Sequence, residues 1–206
     1  DINESNPSVH LVFIDLDGFK RINDTLGHSY GDTVLIEYGS RLKELLGNID
    51  GISFYRLGGD EFTVIIDGHI KEDVKNIVES ISNLTKEPFS LRKEKYYVTQ
   101  SIGVAAYPND AKNTETLLKN ADIAMYEAKK SGKNCFVFFN KKISEAVDKK
   151  NKLINNINEA LERNEFYMVY QPKFKYISSG KYVCSGVEAL IRWDSPKLGN
   201  VRPDVF

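Results

Sequence analysis

Cysteine is scarce in this chain. The two present, Cys135 and Cys184, do not form a CxxC pair, which argues against a zinc site and a disulfide framework. They read as thiols in a reducing, cytoplasmic compartment. No apolar run approaches the ~18 residues that a membrane-spanning helix needs, and no signal peptide is visible, so this segment is expected to touch no membrane. A basic excess is also lacking: the net charge is −1, which argues against a general nucleic-acid binder. Internal repeats and low-complexity segments are absent. The first residue is Asp1 rather than Met, so the chain reads as a piece of a longer protein.

What is present is an ordinary globular composition, 41% hydrophobic and 28% charged. A length of 206 residues lies between one domain and two. Residues 1–140 carry 16 Lys/Arg against 21 Asp/Glu, and residues 141–206 carry 12 against 8. The first part is acidic, so a polyanionic ligand there needs metal ions or a few well-placed lysines.

HLVFID (10–15) is a short apolar run that reads as a buried strand ending at Asp15. From Gly31 to Gly47, Val34, Leu35, Tyr38, Leu42, Leu45 and Leu46 recur at helical spacing. ISFYRL (52–57) and FTVIID (62–67) are strand-like. KEDVKNIVESISNL (71–84) has helical spacing, YYVTQSIGVAAY (96–107) reads as a strand, and a further helix stops at Gly132 before a last strand at 134–140. Strands and helices mix without strict alternation, so the fold class expected is α+β, a mixed α/β sandwich. KKISEAVDKKNK then reads as a linker helix, and FYMVYQPKF and YVCSGVEALIRW as two strands joined by a turn at SSGK.

RLGGDEF (56–62) puts two carboxylates on a glycine turn between two strands. Gly58-Gly59 is a hairpin signal in its own right, which leaves Asp60 and Glu61 either as solvated turn residues or as functional groups. Asp15 either caps the helix that follows or joins them. Carboxylates from neighbouring strand ends make an oxygen-rich site suited to Mg²⁺, which keeps substrate phosphates in its shell. The run Leu16-Asp17-Gly18-Phe19-Lys20 passes from strand to helix, where backbone N–H groups bind phosphate and Lys20 adds a charge.

FIDLDGFKRINDTLGHSYGD, RLGGDEF and ADIAMYEAKKSGKN, in that order, resemble the GGDEF family of diguanylate cyclases over about residues 8–140. The resemblance implies a central, mostly antiparallel sheet flanked by helices, like the adenylyl cyclase core and the polymerase palm. It also implies condensation of two GTP into cyclic di-GMP with release of pyrophosphate. On that resemblance Asp15, Asp60 and Glu61 are the catalytic carboxylates, and Asp15, the Leu16 carbonyl, Asp60 and Glu61 lie at a Mg²⁺ or Mn²⁺ site. Asn23 and Asp32 match the guanine-reading pair. Gly58 and Gly59 leave room for the nucleotide, and Phe19, Lys20, Lys129 and Lys133 fall where phosphates bind. His28 is structural; His10 and His69 belong to no motif. One GTP per domain implies a second such domain as partner.

Two features depart from the family pattern. Its product-inhibition RxxD motif falls on Ile49 and Ile52, so feedback binding there is not expected. Lys133 stands where an arginine is common, losing the planar fork. The tail resembles the opening of an EAL-type cyclic di-GMP phosphodiesterase, with Glu188 as the signature glutamate and Arg192 as a phosphate-binding residue. That α/β barrel needs about 250 residues, so a fragment without phosphodiesterase activity is expected. The organisation expected is a GGDEF domain at 1–140, a linker helix at 141–164 and an EAL fragment at 165–206, within a tandem signalling protein. Two functions fit: an active cyclase, or a non-cyclising GTP-binding domain that regulates an attached phosphodiesterase.

Overall fold

A computed structural model describes residues 8–68, 71–91 and 94–206, with backbone alone at 71–73. Residues 1–7, at the start of the expected first domain, and His69 lie outside the described residues. The chain divides into two compact units, Asp1–Glu145 and Ala146–Phe206.

The first unit is organised around β1 (Val9–Asp17), whose seven interior residues are all buried. Such a near-continuous apolar run suits a strand covered on both faces. Antiparallel pairing flanks it with β3 (Glu61–Asp67) and β6 (Thr99–Tyr107); β2 (Ile52–Gly58) pairs antiparallel outside β3, and β7 (Cys135–Phe138) parallel outside β6. The sheet order is β2-β3-β1-β6-β7.

Alternation along β1 sends its side chains to two cores. Val12, Ile14 and Leu16 pack with Val34, Tyr38 and Leu42 of α2 (His28–Leu46) and with Val78 and Ile81 of α3 (Lys71–Asn83). Leu11 and Phe13 face the other way, into Leu117, Ala121, Ala124 and Met125 of α4 (Thr114–Lys130). Helix α1 (Phe19–Leu26) follows β1 directly and turns into α2 at Gly27, whose φ is 95°. The expected mixed α/β class and mostly antiparallel sheet are what the chain forms.

Three boundaries differ from the sequence reading. Helix α2 begins at His28, three residues before Gly31. The expected strand at 96–107 is broken: β5 (Glu94–Tyr96) ends, and β6 starts at Thr99. A short hairpin pairs β4 (Phe89–Leu91) with β5, and no apolar periodicity marks strands of three residues.

The second unit contains most of α5 (Lys141–Glu162) and an antiparallel sheet of order β10-β9-β8, from β8 (Phe166–Ser178), β9 (Lys181–Ser195) and β10 (Gly199–Val201). Ser179 and Gly180, with φ of 48° and 77°, form the two-residue loop between β8 and β9. Two positive φ values belong to the turn that best matches strand twist. Ala160, Trp193 and Val201 are buried with Leu153, Ile157, Phe166 and Phe206 around them. Beyond that small core the hairpin is bare, with Tyr170, Phe174 and Tyr182 all exposed. No closed barrel forms among the described residues.

Gly103 on β6 sets how closely α4 lies on the sheet. A β-carbon there would stand 2.1 Å from both the Ala121 carbonyl oxygen and the Met125 nitrogen, which are backbone atoms of α4. Gly103→Ala therefore displaces the helix and is expected to destabilise the first unit by about 2–3 kcal/mol, read as a lowered urea midpoint. An unchanged midpoint would mean that α4 does not rest on this contact.

Candidate active site

The GGDEF turn is built by the two strands that flank it. Gly58 pairs with Glu61, so Gly59 and Asp60 form a two-residue loop, with φ of 53° at Gly59. Positive φ at the first loop position is the geometry for which glycine is favoured. Arg56 holds the loop from the β2 side, its Nε and Nη2 donating to the Gly59 carbonyl at 3.1 and 2.8 Å. From the other side the Leu16 N–H donates to the Asp60 carbonyl at 3.3 Å.

The register of β1 on β3 sets Asp15 directly opposite Glu61. Directly paired residues of an antiparallel ladder have Cα atoms about 4.5–5.5 Å apart, so the Asp15 carboxylate and the GGDEF turn share one end of the sheet. Asp15 does not cap α1, since the N-cap position is Gly18, with φ 72° and no side-chain cap.

Asp15, Asp17 and Glu61 lie on the α4 face of the sheet, Asp15 and Asp17 two and four residues from Phe13 and Glu61 two from Thr63. The Lys129 ammonium, in the last turn of α4, meets the Asp15 Oδ2 at 2.6 Å. Asp15 is 7% exposed. Burial pushes its carboxyl above the ordinary carboxylate range; the Lys129 ammonium opposes this, and the negative charges of Asp60 and Asp17 add to the rise.

Asp17 has a structural part that the sequence reading did not assign. Its Oδ1 accepts from the Ser101 hydroxyl at 2.7 Å, and its Oδ2 from the Thr99 hydroxyl at 2.8 Å and the Asn134 N–H at 3.2 Å. It thereby ties β1, β6 and the turn after α4. That turn carries Lys133, exposed, with φ 64° and its N–H on the Ala128 carbonyl. Lys130 points elsewhere, over the Tyr126 ring at 4.7 Å. Only the pattern of polar residues facing one strand end, Asp17 with Thr99 and Ser101, hinted at the clamp.

The other predicted positions are distributed as follows. Phe19 is buried and Lys20 exposed at the uncapped start of α1. Asn23 lies on α1 with its Oδ1 buried and without a hydrogen-bond partner, and Asp32 is exposed on the first turns of α2. In the second unit, the Glu188 carboxylate meets the Lys173 ammonium at 3.0 Å, and Arg192 donates to the Ile191 carbonyl.

Among the described residues no group of three His, Cys, Asp or Glu is gathered as a metal-binding cluster. Asp15 instead has an ammonium at contact, and its carboxylate neighbours repel it. The donors are nonetheless the hard oxygens that a divalent cation takes, and a cationic group already sits against Asp15.

The sign of the Asp15 shift gives a stability prediction. A carboxyl raised in the folded state contributes stability that is fully present below its ordinary value of 3.8 and is lost as pH rises through the folded value. At neutral pH the ionised group is therefore a net cost. Asp15→Asn in metal-free buffer should raise the melting temperature at pH 7, and the gain should vanish as pH falls below the ordinary value. A lowered melting temperature at pH 7 would refute the burial account.

The family described as "Diguanylate cyclase, GGDEF domain" matches residues 1–135. The bifunctional diguanylate cyclase/cyclic di-GMP phosphodiesterase MucR of Pseudomonas aeruginosa is 36% identical over 196 residues, which is 95% of this chain and 28% of MucR. The cyclic di-GMP phosphodiesterase NbdA of the same organism is 34% identical over 95% of this chain and 24% of its own length. The chain thus spans about a quarter of the length of these curated relatives. Among solved structures, the GGDEF domain of YfiN (TpbB) from P. aeruginosa aligns with a TM-score of 0.63 at 35% identity, over 67% of this chain and 86% of that one. The active GGEEF domain of a diguanylate cyclase from Vibrio cholerae aligns with a TM-score of 0.58 at 26% identity, over 65% and 84%. No described helix is long and apolar enough to cross a membrane. With its family match ending just past the clamp that Asp17 makes on Asn134, this chain belongs to the GGDEF diguanylate cyclase family.

Proposed function

We propose that residues 8–140 form a diguanylate cyclase domain that condenses two GTP into cyclic di-GMP. The observation that carries this reading is the juxtaposition of Asp15, Glu61 and the Gly59-Asp60 loop at one strand end, with the Lys129 ammonium on Asp15. Anionic and cationic groups at one uncapped strand-to-helix passage suit a metal–triphosphate.

In this reading the first-turn N–H groups of α1, including those of Phe19 and Lys20, and the Lys20, Lys129 and Lys133 ammoniums hold the phosphates. Asn23 and Asp32 accept from the N1–H and N2–H₂ donors that guanine offers side by side and adenine lacks. The loop glycines Gly58 and Gly59 let the backbone approach the nucleotide. Asp15, the Leu16 carbonyl, Asp60 and Glu61 would hold Mg²⁺ or Mn²⁺, which lowers the pKa of the attacking hydroxyl and neutralises charge on the phosphates. The 3′-hydroxyl of each GTP attacks the α-phosphorus of the other; in each of the two attacks a P–O3′ bond forms, the bond to the β-phosphate oxygen breaks, and one pyrophosphate leaves, two in all. Glu61 is the proton acceptor. Each domain supplies one nucleotide, so turnover needs two domains facing across a two-fold axis. Positioning carries most of the acceleration.

The tail supports a parent of tandem GGDEF–EAL organisation: a domain at 1–140, a linker at 141–164 and the opening of an EAL domain at 165–206, with Glu188 and Arg192 at its signature positions. The length match to MucR and NbdA, each similar over 95% of this chain, favours that organisation. Because NbdA is named for phosphodiesterase activity alone, a second reading stands beside the first: a GTP-binding domain that does not cyclise and regulates the phosphodiesterase. The location expected is the cytoplasm.

One assay separates them. With GTP and Mg²⁺, a cyclase makes cyclic di-GMP at a rate per domain that climbs with protein concentration. Glu61→Gln should lower that rate by about 100-fold or more and leave GTP affinity within a few-fold. Tight GTP binding with no product at any concentration would select the regulatory reading, and absence of GTP binding would sink both.

A further inference from the structure

Gly31 lies in the first turns of α2 with helical backbone geometry, so no unusual φ accounts for a glycine there. Inside a helix glycine is a destabilising choice relative to alanine. Space explains it instead. A β-carbon at Gly31 would stand 2.0 Å from Asn23 Oδ1 and 3.0 Å from both Asn23 Cγ and Phe19 Cζ. The Asn23 amide oxygen therefore occupies the volume that any other residue at 31 would fill.

That oxygen is also buried and has no hydrogen-bond partner. A buried acceptor without a donor is costly, and a ligand that brings an N–H relieves it. The elbow that positions it is short: the Gly27 N–H donates to the Asn23 carbonyl at 2.9 Å, and the Gly31 N–H to the Gly27 carbonyl at 3.4 Å. Asn23 and Gly31 thus face each other across a turn that their own backbones define.

We propose that Gly31 is a specificity-determining positioning residue: its missing β-carbon seats the Asn23 amide so that the orphan oxygen accepts from the exocyclic amino group of a 2-amino-6-oxopurine. This rests on the GTP-binding reading above and extends it to a residue that touches the purine only through Asn23. The ring chemistry matters because inosine presents the same N1–H and carbonyl and lacks the 2-amino donor alone.

The test is the ratio of GTP to ITP affinity, by calorimetry or fluorescence, in the wild type, Gly31→Ala, Asn23→Ala and the double variant. The wild type should favour GTP by about tenfold or more, the scale of one hydrogen bond. Gly31→Ala should bring the ratio to about one, chiefly through loss of GTP affinity, as Asn23→Ala does; the double variant should match Asn23→Ala alone. A purely structural glycine would weaken both nucleotides equally and leave the ratio intact, which overturns the proposal. Should Gly31→Ala fail to fold, the double variant decides: removal of the Asn23 amide takes away the 2.0 Å overlap and leaves only the 3.0 Å approach of Phe19 Cζ, so folding must be at least partly restored, and no recovery refutes the steric account. A wild type that binds GTP and ITP equally refutes this inference while leaving the GTP reading in place. A wild type that binds neither removes both.

Discussion

Strand β1 is paired on both edges, and its register decides which side chains meet the GGDEF loop. Val12, Ile14 and Leu16 enter the core under α2 and α3, while Leu11 and Phe13 enter the core under α4. A slip of one residue would exchange these faces and drive Asp15 and Asp17 into the apolar layer around Val34 and Tyr38. Burial of each large apolar side chain is worth about 1.5–3 kcal/mol, so five of them hold the register against any preference of the acidic pair. The position of Asp15 opposite Glu61 is thus a consequence of core packing several residues away.

The polar end of the same strand is costly to keep. Asp15 is nearly buried, next to Asp60 and Asp17, and the Lys129 ammonium offsets only part of that. Asp17 differs: two hydroxyls and an N–H satisfy it, and it binds β1 to β6 and to the turn after α4. Two aspartates, two residues apart on one face, therefore do opposite things. One holds the end of the sheet together and the other stores unfavourable charge there. A site kept at such a cost to stability is where local rules are expected to give way to function.

Long periodic segments were legible in the sequence because apolar spacing reports burial directly. The runs that became β1 and β3 are apolar on both faces and serve two cores, and the run that became α4 turns one apolar stripe to a single core. The short hairpin of β4 and β5 and the break at Tyr97 and Val98 were not, since three-residue strands carry too few side chains to show alternation. In the site, the residues brought together, Asp15, Asp60, Glu61 and Lys129, were visible as motif positions. Asp17 and Arg56 were hidden because their work is hydrogen bonding to partners distant in sequence or to the loop backbone, which leaves no spacing signal. Lys129 was legible as a cation but its partner was not, because the contact with Asp15 joins two elements distant in sequence.

Helix α4 joins these levels. It rests on Gly103 with no room for a single added carbon, and with small residues Ala121 and Ala124 at the contact its axis lies close to the sheet. That depth lets Lys129, at its last turn, reach a carboxylate on the central strand, while Lys130 remains over Tyr126 at the surface. A cation at a helix C-terminus is favoured by the helix dipole as well as by Asp15. The ammonium is therefore stabilised from its own helix whether or not it stays on Asp15. The packing of one glycine under a helix thus bears on whether an ammonium from α4 reaches the buried carboxylate of the central strand.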